Sequence, residues 1–240
     1  MRVLDSDCVF GRWPRANLDV SARRLVECLD RLEIEKGLAV SLRGVFYSHE
    51  EGNRETLEIC GRHDSLLPAA TVNPARYAGS SDAPGRLREA GFGLLRLFPD
   101  YQGWSAGNVL VERVLAECAE AGMPVAFNVA KAAGASSDLA RCAPRGCRVI
   151  LSGVYYQTLA EATEALRRRP EFLMGVGRTC MPRSIEMLCE RVGADRLVLG
   201  TSQPLDLGRG PIEMIRSAGV SEESKAAILG GNLAGLLGGI

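Results

Sequence analysis

Short apolar runs alternate with longer amphipathic stretches along this chain. The apolar runs predict strands over Val3–Val9, Leu38–Leu42, Leu67–Val72, Gly93–Phe98, Val125–Val129, Arg148–Leu151, Phe172–Val176 and Leu197–Thr201. The stretches between them predict helices over Val20–Glu35, Arg54–Arg62, Leu87–Ala90, Val109–Ala121, Ser137–Cys142, Thr158–Arg168, Pro182–Val192, Gly210–Ala218, Glu222–Leu229 and Asn232–Leu237. Gly37, Gly91, Gly122, Gly193 and Gly219 each follow a helical run, where glycine can take the left-handed capping conformation. Strands that alternate with helices build a parallel sheet. Eight such units without a linker predict a single-domain (β/α)8 TIM barrel over residues 1–240, with an open doubly wound sheet as the structural alternative.

Composition narrows the class. The chain has 240 residues, 46% of them hydrophobic, which is enough for one large core. Lys plus Arg and Asp plus Glu balance at 29 each, so no basic face is expected and nucleic acid is not the expected partner. No signal peptide is expected from the opening residues, and no apolar run reaches membrane-spanning length. The eight cysteines are scattered without a Cys-x-x-Cys pair, the usage of buried free thiols in a reducing cytosol. A cytoplasmic location and a small-molecule ligand are the expectations, with an oligomer left open.

Residues 3–11 read Val-Leu-Asp-Ser-Asp-Cys-Val-Phe-Gly. This resembles the opening strand of the amidohydrolase-related TIM-barrel family, where Asp-x-His-x-His precedes an apolar residue and Gly. Further stretches carry the same resemblance: Leu18–Val40, Thr71-Val72-Asn73-Pro74, Gly91–Pro99, Gly122-Met123-Pro124-Val125, Asp195–Thr201 and Ile228–Leu237. The family implies a metal-dependent hydrolase fold with ligands at fixed strand ends. Those positions are altered here. The first strand has Asp7 and Val9 for the two His; the fifth has Asn128 for His. The sixth has about Gly153 for His, and the eighth has Ser202 for the catalytic Asp. Val9 and Gly153 have no ligating side chain, and the chain's only histidines are His49 and His63. Zinc sites of this type need several imidazoles. The resemblance therefore implies a divergent member with a degenerate metal site and no cofactor, and with no metal-activated water or strand-end proton shuttle. A weaker alternative is a hard cation such as Mg²⁺ held by oxygens of Asp7, Asn128 and Ser202.

Functional groups of such barrels gather at the C-terminal strand ends. Here those ends supply Asp7, Tyr47, His49, Asn73, Arg96, Tyr101, Gln102, Trp104, Asn128, Lys131, Tyr155, Tyr156, Arg178, Ser202, Gln203 and Asp206. Asp7, His49, Arg96 and Ser202 are the catalytic candidates. Arg96, Asn128, Lys131, Arg178, Tyr155 and Gln203 are the ligand-binding candidates. Arg96, Lys131 and Arg178 could together grip a carboxylate or phosphate. Equally, Arg96 or Arg178 could pair with Asp7 or Asp5 and fill the space of a metal. His49 is read either as a general acid–base group or as a solvated loop residue, and His63 is given no catalytic role. Cys8 and Cys180 lie near strand ends without a histidine neighbour in sequence. Trp13-Pro14-Arg15 is placed to roof the pocket, and Arg167–Arg169 reads as a solvated helix end. Three functions fit: a metal-free ligand-binding member, a metal-independent lactonase-like hydrolase, and a non-catalytic assembly partner.

Overall fold

The computed structural model describes residues 1–14, 16–77, 83–130, 133–179, 181–205 and 208–239. Among these, the strands are β1 (Leu4–Arg12), β2 (Asp19–Val20), β3 (Lys36–Ser41), β4 (Leu66–Thr71), β5 (Leu94–Leu97), β6 (Val125–Asn128), β7 (Val149–Ser152), β8 (Phe172–Gly175) and β9 (Leu197–Val198). They run in the order β2-β1-β3-β4-β5-β6-β7-β8-β9. Only the two-residue β2 is antiparallel, pairing with the end of β1. The other eight correspond to the eight expected strands. A parallel bridge between Cys8 and Gln203 joins the last strand to the first. The Ser6 N–H donates to the Leu199 carbonyl at 3.0 Å and the Val9 N–H to the Gln203 carbonyl at 2.9 Å. These bonds close the sheet into a (β/α)8 barrel.

Strand periodicity sorts the side chains. Leu38, Val40, Ala69, Leu94, Ala126, Ile150 and Val198 share one apolar cluster inside the barrel. Their alternate neighbours Ala39, Ala70, Leu95, Val125, Phe127, Val149, Leu151, Leu197 and Leu199 pack outward beneath the helices. β1 breaks this rhythm: Leu4 and Val9 both belong to the interior cluster although they are an odd number of residues apart. A register irregularity between Asp5 and Cys8 supplies the extra residue. It brings Asp7 and Val9 to the inner side at the C-terminal mouth. At the opposite end, Leu233 and Leu236 of the last helix join Leu4 and Leu94 and plug the barrel.

Asp5 is fully buried beside the seam. Its Oδ1 accepts the Asp7 N–H at 2.9 Å and the Thr201 N–H at 3.0 Å, and its Oδ2 accepts the Thr201 hydroxyl. One carboxylate thus ties the first strand to the segment after the last. Burial pushes its pKa up, and the Thr201 hydrogen bond opposes this.

Several local expectations are corrected. The first long helix spans only Ala22–Arg31, N-capped by Ser21, whose hydroxyl accepts the Arg24 N–H at 3.2 Å. Gly37 is therefore not a helix cap. It lies within β3, where a Cβ would meet Cys8 Sγ at 2.7 Å. Gly91, Gly122 and Gly193 do have positive φ, while Gly219 does not. The helix expected from Arg54 starts at His49, because Ser48 caps it through the Glu51 N–H. The C-terminal helices are joined by a π-turn over Ala227–Gly231. Arg169 is not a solvated helix end: it donates to the carbonyls of Ala140, Ala143 and Pro144 and pairs with Glu171. Among the described residues, no helix is long and apolar enough to cross a membrane.

Two substitutions test this framework. Asp5→Ala strips the partners from two backbone N–H groups and should cost about 2–5 kcal/mol, read by urea denaturation. Alanine normally favours a helix interior over glycine by about 1 kcal/mol. Gly52→Ala should nevertheless destabilise, because its Cβ would lie 2.1 Å from the Gly44 backbone nitrogen. A lower melting temperature is the expected result.

Candidate functional site at the barrel mouth

A cavity of about 180 Å³ opens at the C-terminal end of the barrel. Its two halves differ in chemistry. Trp13 after β1, Leu42 after β3, and Phe98 and Tyr101 after β5 make an apolar half. Trp13 meets Phe46 and Tyr101 edge-on, each at 5.5 Å between centroids, and Phe98 stacks on Tyr101 at 6.1 Å. Trp13 thus roofs the cavity as expected from its loop. Asn128 of β6, Tyr155 after β7, Arg178 after β8 and Ser202 after β9 make the polar half.

Asp7 and Arg96 form the charged floor. Arg96 shares the inner side of β5 with Leu94 and Phe98 and is only 3% exposed. A lone buried guanidinium would be costly. One terminal nitrogen of Arg96 pairs with Asp7 Oδ1 and the other donates to the Cys8 carbonyl at 2.7 Å. The guanidinium carbon also sits 4.9 Å from the centre of the Phe98 ring. Asp7 uses its second oxygen, Oδ2, to accept the Ser202 hydroxyl at 2.7 Å. Arg178 Nε donates to Ser202 Oγ at 3.2 Å, and an Arg178 terminal nitrogen donates to the Tyr155 hydroxyl. The result is a chain Arg96–Asp7–Ser202–Arg178–Tyr155 drawn from β1, β5 and the loops after β7, β8 and β9.

The electrostatics follow from this chain. Burial alone would raise the Asp7 pKa; the charges of Arg96 and Arg178 and the Ser202 hydrogen bond outweigh it and hold the carboxyl below its ordinary range. Cys8 behaves in the opposite way. Burial, then the Asp5 and Asp7 charges, push its thiol well above the ordinary value, which rules out a thiolate there at neutral pH. Ser202 has φ +57°, a left-handed conformation that costs a non-glycine residue about 1–2 kcal/mol.

The other candidates fall in different places. Asn128 lines the cavity and accepts the Ala130 N–H on Oδ1 at 3.0 Å. His49 does not line this cavity and is not a solvated loop residue. It is buried at the start of its helix, with Nε2 3.2 Å from Glu50. It lines a neighbouring cavity of about 130 Å³ with Tyr47, Asn73, Arg76 and Gln102, and Tyr101 borders both spaces. Gln203 is turned away from the mouth, its amide next to the Gly208 position. Trp104 packs edge-on against Phe127 in the outer layer, and Tyr156 is 65% exposed. Lys131, Asp206, Cys180 and Arg15 lie outside the described residues. Of the two readings of Arg96, the pairing with Asp7 is the one observed; Asp5 is held by Thr201 instead. Phe98 and Asp100 line the cavity but were not among the candidates. Their place just past β5 was the available signal.

A family model described as Amidohydrolase matches residues 46–238, and the chain belongs to this family. No curated protein matches the sequence. Among solved structures, a 5-carboxyvanillate decarboxylase from Sphingomonas paucimobilis is similar, with TM-score 0.74 and 13% identity over 98% of both chains. A dihydroxybenzoic acid decarboxylase from Polaromonas sp. JS666, with bound manganese and 2-nitroresorcinol, has TM-score 0.74 and 12% identity over 98% of this chain and 96% of that one. A probable 2-pyrone-4,6-dicarboxylic acid hydrolase from Acinetobacter baumannii, with citric acid bound, has TM-score 0.71 and 14% identity over 99% of this chain and 100% of that one. At these identities the likeness shows the fold.

Among the described residues, the side chains at the family's ligand positions are committed to one another or carry no donor. Both Asp7 oxygens are engaged, one by a guanidinium. Val9 offers no donor, and the Asn128 oxygen is engaged by Ala130. A Cβ on Gly153 would stand 2.9 Å from that oxygen, at a backbone φ of +70°.

The Asp7 pairing has a pH signature. With its folded pKa below the unfolded value near 3.9, the unfolded chain takes up this proton first as pH falls. The Asp7 contribution is therefore complete above about pH 5 and is lost as pH drops through and below about 4. Melting temperatures from about pH 6 to pH 2.5 should fall more steeply for the wild type than for Asp7→Asn, which should start lower at pH 6.

Proposed function

We propose that this chain is a divergent amidohydrolase-family barrel that binds a small carboxylate at its mouth without a metal ion. The position of Arg178 carries the reading. Arg178 lines the polar half of the cavity, where its guanidinium donates to Ser202 Oγ and to the Tyr155 hydroxyl. The guanidinium also lies 5.4 Å from the Tyr155 ring centre. A planar fork so placed suits a carboxylate, and Asn128 stands in the same half of the cavity with an amide to offer. The aromatic half suits a flat apolar body. A volume of about 180 Å³ corresponds to roughly six waters at ~30 Å³ each, so the ligand is small.

The ligands named for similar structures support the choice: one protein is a decarboxylase of 5-carboxyvanillate and another holds citric acid. Both are carboxylate compounds.

Calorimetry with benzoate, 2,6-dihydroxybenzoate and citrate, each beside its neutral amide, tests the reading. At least one carboxylate should bind and its amide should not. Arg178→Gln should weaken binding by about 10–100-fold, as expected for a hydrogen-bonded ion pair of about 1.5–3 kcal/mol. Chelator should leave the affinity unchanged. Binding that needs added Mn²⁺, or amides that bind equally well, would overturn it.

A further inference from the structure

A hydroxyl becomes a nucleophile when three conditions meet: an acceptor for its proton, a lone pair open to an electrophile, and donors for the oxyanion that forms. The Ser202 surroundings meet all three. Its O–H points at Asp7 Oδ2, 2.7 Å away. Its Oγ accepts one bond, from Arg178 Nε at 3.2 Å, so one of its two lone pairs remains. Ser202 borders the cavity, and the left-handed turn after β9 holds it there. A strained turn that lifts a serine out of a strand end is a recognised way to expose a nucleophile. Arg178 and Tyr155 flank it on the side of β7 and β8. The Tyr155 hydroxyl accepts from Arg178, which leaves its own hydrogen to donate.

We propose that Ser202 is an acyl-accepting nucleophile for small esters, with Asp7 as its proton acceptor. The Oγ lone pair attacks the ester carbon while the O–H proton passes to Asp7 Oδ2. The carbonyl π pair moves onto oxygen, and Arg178 and Tyr155 stabilise the oxyanion. Collapse breaks the bond to the alcohol, which leaves with the proton from Asp7. Water then adds to the acyl carbon and gives a proton to Asp7. Oγ departs and takes that proton back, and a carboxylic acid is released. Arg96 keeps Asp7 ionised and in place, which also makes it a weak acceptor. The reaction is therefore confined to activated esters. The inference rests on the cavity assigned above but needs no carboxylate on the substrate.

A small alkyl fluorophosphonate and p-nitrophenyl acetate are the probes. The fluorophosphonate should leave one adduct on the wild-type protein, located on Ser202 by peptide mapping. The acetate should release one equivalent of p-nitrophenol in a burst. Ser202→Ala should take no adduct, and Asp7→Asn should react at least tenfold more slowly. The wild-type map needs no variant to fold. Folded wild-type protein without an adduct, or with the adduct elsewhere, overturns the proposal. A folded Asp7→Asn that labels at the wild-type rate overturns the part given to Asp7. Carboxylate binding, measured separately, stands or falls independently of labelling.

Discussion

The pairing of Arg96 with Asp7 is the constraint around which the mouth is organised. A guanidinium on the inner side of a barrel strand needs a counter-charge, and a carboxylate beneath an aromatic roof needs a cation. Each supplies the other. Arg96 also holds the Cys8 carbonyl, so it fixes the backbone of β1 as well as the Asp7 side chain. With one Asp7 oxygen taken, the other is aimed at Ser202, and Ser202 in turn receives Arg178. The polar half of the cavity is thus set in order from the floor upward.

The seam depends on the same stretch of chain. Asp5 and Asp7 are two residues apart and face different tasks. Asp5 binds Thr201 inside the wall, and Asp7 binds groups in the cavity. The irregularity in β1 between Asp5 and Cys8 makes this division workable. Without the extra residue, strand alternation would carry Val9 and Phe10 to the wrong sides of the wall.

The barrel was legible in the sequence because its signal is repeated. Eight apolar runs separated by helical stretches leave few other arrangements. Short boundaries were less legible: Ser48 starts a helix that the apolar pattern alone placed at Arg54, which moved His49 from a loop into the interior. That Asp7, Asn128, Gly153 and Ser202 lie at the mouth could be read by position. The partner of Asp7 could not, because Arg96 lies on a different strand and only the closed barrel brings the two together. Gln203 was misplaced for a related reason. It follows a residue with positive φ, and the turn sends its side chain away from the mouth. Arg169 looked like a charge at a helix end, yet its reach to three carbonyls depends on the neighbouring helix.

The close fit of Gly153 against Asn128 makes these two positions a single unit. Any side chain at 153 would enter a left-handed backbone and press on the Asn128 oxygen. A residue at 128 without that oxygen would give up the bond it accepts from the Ala130 N–H. Neither position can change without disturbing the other. Mutual accommodation of this kind acts as a lock: a change along this wall calls for a second one beside it.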